Sequence, residues 1–236
     1  MNIRDEKRRN VLKMLAVLGV SSAASTYSHA QAQRSEAAGD AVVFDNEKVR
    51  VIRHSAAPGQ DIYGPMPSSA PRLALFMTDA KAKTRKAGKD SRIDYKEGAL
   101  LWNAGEAGPA ENAGTTETTI YLIEPKGSIV ADSAVPAKGP KPDAGGKVML
   151  DNDWVRVIEH AARPRMGVCG MGMHTHPPHL TVSISGGRVK IVEPGKEPVV
   201  LDVKAGSVFW DEGGPHAIQN LSSRNMQAFL IEFKRA

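Results

Sequence analysis

The chain repeats itself. The segment Phe44-Asp-Asn-Glu-Lys-Val-Arg-Val-Ile-Arg-His54 returns as Leu150-Asp-Asn-Asp-Trp-Val-Arg-Val-Ile-Glu-His160, at an offset of 106 residues. Gly98-Ala-Leu-Leu-Trp102 returns as Gly206-Ser-Val-Phe-Trp210, and Leu122-Ile-Glu-Pro-Lys126 as Leu230-Ile-Glu-Phe-Lys234, both at an offset of 108. Three matched blocks in the same order mark two copies of one unit, so whatever architecture one half adopts the other must adopt as well. Between the copies, Pro136, Gly139, Pro140, Pro142, Gly145 and Gly146 break any regular element and give the segment the chemistry of a linker. The expected organisation is a first domain at 41–126, a linker at 127–147 and a second domain at 148–236.

Each half reads as short strands. Val155-Arg-Val-Ile-Glu and Leu180-Thr-Val-Ser-Ile-Ser alternate apolar with polar side chains, as a half-buried strand does. Further strands are expected at Arg188–Val192, Pro198–Val203, Gly206–Trp210, His216–Leu221 and Met226–Phe233, separated by Gly- and Ser-rich turns. About eight short strands with turns every eight to twelve residues predict an all-β barrel or sandwich in each half.

Residues 1–30 are expected to be a cleaved export signal that takes no part in the fold. Arg4, Lys7, Arg8 and Arg9 precede an apolar stretch from Val11 to Ala24, and Ser28-His-Ala30 places small residues where a signal peptidase cuts. A membrane anchor is the alternative, but Lys13 and Ser21-Ser22 interrupt a run already shorter than the ~20 residues of a span. Arg8-Arg-Asn-Val-Leu-Lys13 resembles the twin-arginine export signal. A periplasmic or secreted bacterial protein is expected, without stable membrane insertion once the signal is cleaved.

The first thirty residues hold five of the 31 basic and two of the 26 acidic residues, so the rest carries a net charge near +2 and the pI near 9.3 does not argue for nucleic acid. No nucleic-acid partner is expected. Lys81, Lys83, Arg85, Lys86 and Lys89 cluster without interleaved aromatics and read as a solvated loop. Cys169 is the single cysteine, so no internal disulfide supports the fold. A homo-oligomer is compatible with these features.

Three of the seven histidines lie in Met171-Gly-Met-His-Thr-His-Pro-Pro-His-Leu180. His174 and His176 stand two residues apart, so on an extended segment both rings point to one face. His216 follows Gly213-Gly-Pro215, a turn opening a later strand. Three neutral imidazoles converging inside one barrel suit Zn, Cu, Fe or Ni, and a shared ion requires their nitrogens within ~3 to 4 Å of one another. Cys169, Met171 and Met173 have the opposite parity on an extended strand and are expected to face away as packing sulfur, which makes copper the less favoured ion; a bulge at Gly167, Gly170 or Gly172 would reverse that. His54 and His160 recur at equivalent places, which favours a structural role for both. Asp211 and Glu212 precede His216 and are candidates for a base or a supporting partner, or are simply solvated.

The second half resembles the cupins. Their first motif is a glycine, five residues, His-x-His, three or four residues, Glu, six residues and Gly; His174, His176 and Gly187 fall in this frame, while the glutamate position holds Leu180, or Thr181 in the longer spacing. Gly206, Gly214, His216 and Asn220 match the second motif, with one residue fewer before the histidine and Glu212 where proline is usual. The resemblance spans Val148 to Lys234 and extends by the repeat to the first half. It implies two tandem jelly-roll barrels, an all-β bicupin. It also implies a divalent metal, commonly Fe, Mn, Zn or Ni, inside the second barrel. The metal ligands are then His174, His176 and His216, with His179 beside the missing glutamate as a further candidate or a surface residue at the barrel rim.

The first half is the internal control. Aligning Pro71-Arg-Leu73 on Pro178-His-Leu180 sets Pro67 and Ser69 opposite His174 and His176, and Gly108 or Ala110 opposite His216, so this half offers no metal ligands. Three functions are open: a metal-dependent enzyme acting on a small oxygen-bearing molecule or O2, a non-catalytic module binding a small molecule or the ion, and a structural bicupin.

Overall fold

The computed structural model describes residues 40–64, 71–86, 89–102, 108–126, 146–170 and 172–234. The expected export signal, most of the expected linker, Pro67, Ser69 and Met171 lie outside the described residues. Seventeen strands are found among the described residues and no helix.

In the first half, β1 (Ala41–Asp45), β2 (Val49–Ala56), β8 (Thr118–Pro125), β3 (Leu73–Phe76) and β6 (Leu100–Trp102) form one sheet in that order. A smaller sheet joins β5 (Lys89–Tyr95), β4 (Ala80–Lys86) and β7 (Ala110–Asn112). The second half repeats the plan. Its large sheet runs β15 (Val208–Asp211), β12 (His179–Ser183), β17 (Met226–Phe233), β10 (Val155–Ala162) and β9 (Lys147–Asp151). Its small sheet runs β11 (His174–His176), β16 (Gly214–Asn220), β13 (Gly187–Val192) and β14 (Val199–Val203). Each half is thus a two-sheet jelly-roll barrel of antiparallel strands.

The duplication extends to single hydrogen bonds. Buried Asn112 donates from Nδ2 to the carbonyls of Ala56 (2.8 Å) and Thr116 (2.9 Å), and Asn220 donates to those of Ala162 (3.1 Å) and Arg224 (2.9 Å). Asn46 and Asn152 each accept two backbone N–H groups through Oδ1, closing the same turn in both copies. These amides satisfy backbone groups that no ladder reaches, which is why Asn stands at all four places.

Both faces of the large sheets are largely buried, and period two assigns them different duties. Val49, Val51, Leu73, Leu75 and Ile123 of the first half share one core with Val155, Val157, Leu180, Phe229 and Ile231 of the second. The two large sheets therefore pack against each other and the chain's largest core lies between the barrels. A fully buried Ile, Leu or Phe here contributes about 1.5–3 kcal/mol. Two glycines carry the contact at its edges. Gly206 (φ +77°) brings its carbonyl 2.8 Å from the Tyr121 hydroxyl, which donates to it, and a Cβ there would meet that hydroxyl at 2.7 Å. Its counterpart Gly98 (φ +81°) sits against the ring of Phe229, the counterpart of Tyr121.

The alternate residues face inward. The first barrel is filled by Ile62, Tyr63, Phe76, Ile120 and Leu122, with Tyr95 stacked on Phe76 at 4.2 Å between ring centroids and its hydroxyl 3.1 Å from that of Tyr63. The basic cluster is a correction to the loop expected there: Lys81, Lys83 and Arg85 lie on β4 and Lys89 opens β5, two paired strands of one hairpin. The alternating threonine and alanine of Ala80-Lys-Ala-Lys-Thr give this segment strand periodicity that its charge concealed.

Candidate metal centre

His174 and His176 lie on β11, whose pairing with β16 sets His174 opposite His216 and His176 opposite Gly214. This close passage needs Gly213 (φ +85°), because a Cβ there would meet the His176 carbonyl oxygen at 2.7 Å. Ring centroids of His174 are 4.9 Å from His176 and 4.8 Å from His216, and His176 is 5.5 Å from His216. The three histidines expected from the sequence do converge.

A fourth donor joins them, and it overturns an expectation. Cys169 is buried, with its Sγ 3.6 Å from His216 Nε2, and one ligand atom each from Cys169, His174, His176 and His216 lies within 4.8 Å of all the others. The parity argument assumed an extended strand. The chain instead turns through 164–170 and again at 172–173, with Gly170 and Gly172 at φ +124° and +84°, so alternation does not carry across. Met166 and Met173 are exposed rather than packed in the barrel. The 4.8 Å spread is wider than the ~3 to 4 Å expected, and wider than the ~3.6 Å between nitrogen and sulfur that tetrahedral Zn–N and Zn–S bonds of ~2.1 and ~2.3 Å would set, so the four donors must draw together to share one ion.

The rings are held in one tautomer. His174 Nδ1 donates to the Gly172 carbonyl (3.0 Å) and His179 Nδ1 to the Pro177 carbonyl (2.8 Å); a carbonyl only accepts, so the lone pair of each neutral ring is on Nε2. His176 Nδ1 faces Glu232 Oε1 at 3.5 Å, and Glu232 Oε2 is 3.7 Å from the Arg156 guanidinium. Glu232 and Arg156 were not singled out from the sequence. The recurrence of Leu-Ile-Glu in both copies was the signal, since it places a glutamate on the inward face of the last strand. The buried Nε2 atoms of His174 and His176 have no hydrogen-bond partner. An orphaned buried acceptor costs on the order of 1–3 kcal/mol, and a shared cation is what removes that cost.

Burial favours the neutral form of three rings. Desolvation pulls His174 and His179 below the ordinary histidine range and His216 to about 4, with neighbouring imidazoles adding to each shift. Burial also pushes the Cys169 thiol up to about 12, so a cation must displace its proton on binding.

His179 is inside the barrel rather than at its rim, paired across strands with Asp211 on one side and Glu232 on the other. Its ring is 5.3 Å from His176 and 6.5 Å from His216, beside the four-donor group rather than in it. Asp211 is buried and accepts from the Gly213 N–H (2.7 Å); Glu212 accepts from the Trp210 indole (2.8 Å).

His54 and His160 differ from the shared structural role expected of them. His54 faces Asp40 (2.5 Å) and the Asp61 carbonyl (2.9 Å). At the place of Asp40 the second copy has Gly146, whose missing side chain leaves room for the His160 ring: a Cβ would meet its Cε1 at 2.6 Å. His160 Nε2 is buried without a partner, and desolvation together with the nearby imidazoles lowers the ring to about 3. Opposite His216, the first half has Gly108 and no ligand.

No protein-family model matches the chain, and no curated protein matches it. Solved structures do. Oxalate decarboxylase of Lactobacillus farciminis, in a formate complex, matches at 12% identity over 86% of this chain and 84% of its own, with a TM-score of 0.53. A Bacillus subtilis oxalate decarboxylase, described for its Mn(II) centres, matches at 12% identity over 83% of this chain and 72% of its own, with a TM-score of 0.51. A cupin 2 conserved barrel domain protein of Leptotrichia buccalis matches at 13% identity over 86% and 91%, with a TM-score of 0.49. The fold is that of a bicupin. In this chain the second barrel gathers Cys169, His174, His176 and His216, and the inward face of its last strand supplies Glu232 behind them.

Proposed function

We propose that this bicupin is an exported metal protein whose C-terminal barrel binds one divalent ion through His174, His176 and His216, with Cys169 as fourth donor, and acts on a small oxygen-bearing molecule. The observation that carries the reading is the pair of buried, unpartnered Nε2 atoms on His174 and His176, directed into the same group as the Cys169 sulfur and the His216 ring.

The donors narrow the ion. Three imidazoles and a thiolate suit zinc first, then iron, nickel or copper, and suit manganese least, since manganese prefers carboxylate and water oxygen. The bound ion would supply a Lewis acid for an oxygen donor. The chain's own groups do the rest. Glu232 faces the Nδ1 of His176, the Gly172 carbonyl fixes His174, and buried Asp211 beside His179 offers a carboxylate within the site.

A second reading follows from Cys169. Four protein donors close a tetrahedral set around zinc, and a closed set describes a binding module rather than a catalyst. The test is elemental analysis of the mature protein beside a His174→Ala/His176→Ala variant. One equivalent in the first and none in the second supports the site; equal substoichiometric metal in both ends the proposal. Cys169→Ser then separates the readings: a catalyst keeps its metal through three histidines, whereas a closed site loses it.

A further inference from the structure

The two barrels share one scaffold, yet one is filled and the other hollow. Strand pairing fixes the equivalences: Ala80 pairs with Tyr95 as Gly187 pairs with Val203, and Ala82 pairs with Ile93 as Val189 pairs with Leu201. At the places where the first barrel has Tyr63, Phe76, Tyr95 and Ile120, the second has Cys169, Ser183, Val203 and Ala228. All four of these smaller residues line a cavity of about 80 Å³ inside the second barrel. Chance loss of volume in a close-packed core is costly, because each cavity destabilises the fold in proportion to its size. The void persists at these four replacements although Val189, Phe209 and Ile218 stand where the first barrel has Ala82, Leu101 and Ala110, and, lying beside the site, it is a chamber for a ligand.

Its walls describe the ligand. One end holds Cys169, His216, His179 and Asp211; the remainder is hydrocarbon, from Val189, Ile191, Leu201, Phe209, Ile218 and Leu230. No Lys or Arg is among the lining residues, so the chamber offers a second anionic group no partner, and Asp211 repels one. At ~10–15 Å³ for each water-sized volume, the space admits roughly five to eight non-hydrogen atoms.

We infer that the chamber takes a compact molecule with one oxygen-bearing head, seated at the histidine and cysteine end, and a short hydrocarbon body, and that it excludes doubly charged molecules of the same size. The placement of the head rests on the metal reading above; the apolar body does not.

The test compares pentan-2-one with oxalate, which has the same number of non-hydrogen atoms and the opposite polarity. Binding is followed by methyl NMR shifts of Val189, Ile191, Leu201 and Ile218, in metal-free and in zinc-loaded full-length mature protein, with zinc content measured separately. The expected result is that pentan-2-one shifts these methyls in both forms and binds the zinc form more tightly, with oxalate at least about tenfold weaker. Ser183→Phe and the smaller change Ala228→Ile restore residues of the filled barrel and should abolish the shifts while leaving zinc content and melting temperature near wild type. Absence of pentan-2-one shifts in both forms, equal or tighter oxalate binding, or shifts that persist in folded Ala228→Ile overturns the inference. Absence of zinc with pentan-2-one still bound removes the metal reading and leaves the apolar chamber standing.

Discussion

Buried Arg72 meets half-buried Glu124 in an ion pair at the place where the second barrel sets His179 across from Glu232. One barrel neutralises its inward glutamate with a guanidinium. The other turns the glutamate towards His176 and Arg156, so a carboxylate that pairs with one arginine in the first copy faces a candidate ligand in the second.

Replacing Arg72 leaves half-buried Glu124 poorly compensated in the first barrel, at a cost below the about 3–5 kcal/mol of breaking a fully buried pair. Arg72→Leu is expected to lower the urea midpoint strongly without altering metal content. A double variant Arg72→Leu/Glu124→Leu should recover most of the loss.

Glu232→Gln removes the charge behind His176 and keeps the shape. Metal affinity should fall about 10–100-fold, the usual effect of losing a carboxylate behind a histidine ligand. Competition with a chromogenic chelator reads this directly, and an unchanged affinity would show that Glu232 serves Arg156 alone.

Cobalt substitution reports on the cysteine. Wild type loaded with Co(II) should show a thiolate-to-metal band in the near ultraviolet, and Cys169→Ser should lose that band while keeping the weaker ligand-field absorption contributed by the histidines. Loading at constant pH should also release protons, since burial holds the free thiol near 12.

Metal-free protein should be acid-sensitive. His216 at about 4 and His160 at about 3 are held below the ordinary value of 6.5 by burial, so between those values and 6.5 the unfolded chain binds more protons than the native one. Stability is therefore full above pH ~6.5 and falls as pH drops through about 4 towards 3. A melting series on metal-free protein checks the sign, and His160→Phe should flatten the acid limb.

The duplication, the strand order of the second half and the convergence of His174, His176 and His216 were legible, because each is written in spacing: a repeat offset, a period of two, an i and i+2 pair. Cys169 was not, because its position depends on a turn with two glycines at positive φ, and parity says nothing once the chain leaves a strand. Nor could spacing separate the two apolar faces of the large sheets. Leu180 and Ile231 look like any buried strand residue, and only the neighbouring barrel shows that they face it while His179 and Glu232 face inward. The hollow in the second barrel was written in the sequence as Ser183 opposite Phe76 and Ala228 opposite Ile120, but register is needed before small residues can be seen as missing ones.

The reciprocal contacts of Gly206 with Tyr121 and of Gly98 with Phe229 make the junction between the barrels self-complementary. A patch that fits its own relative nearly fits itself. Severed from its sister, the second half would expose the apolar face that this junction now covers. Tethering the two copies in one chain keeps that face paired at an effective concentration no free partner has to supply.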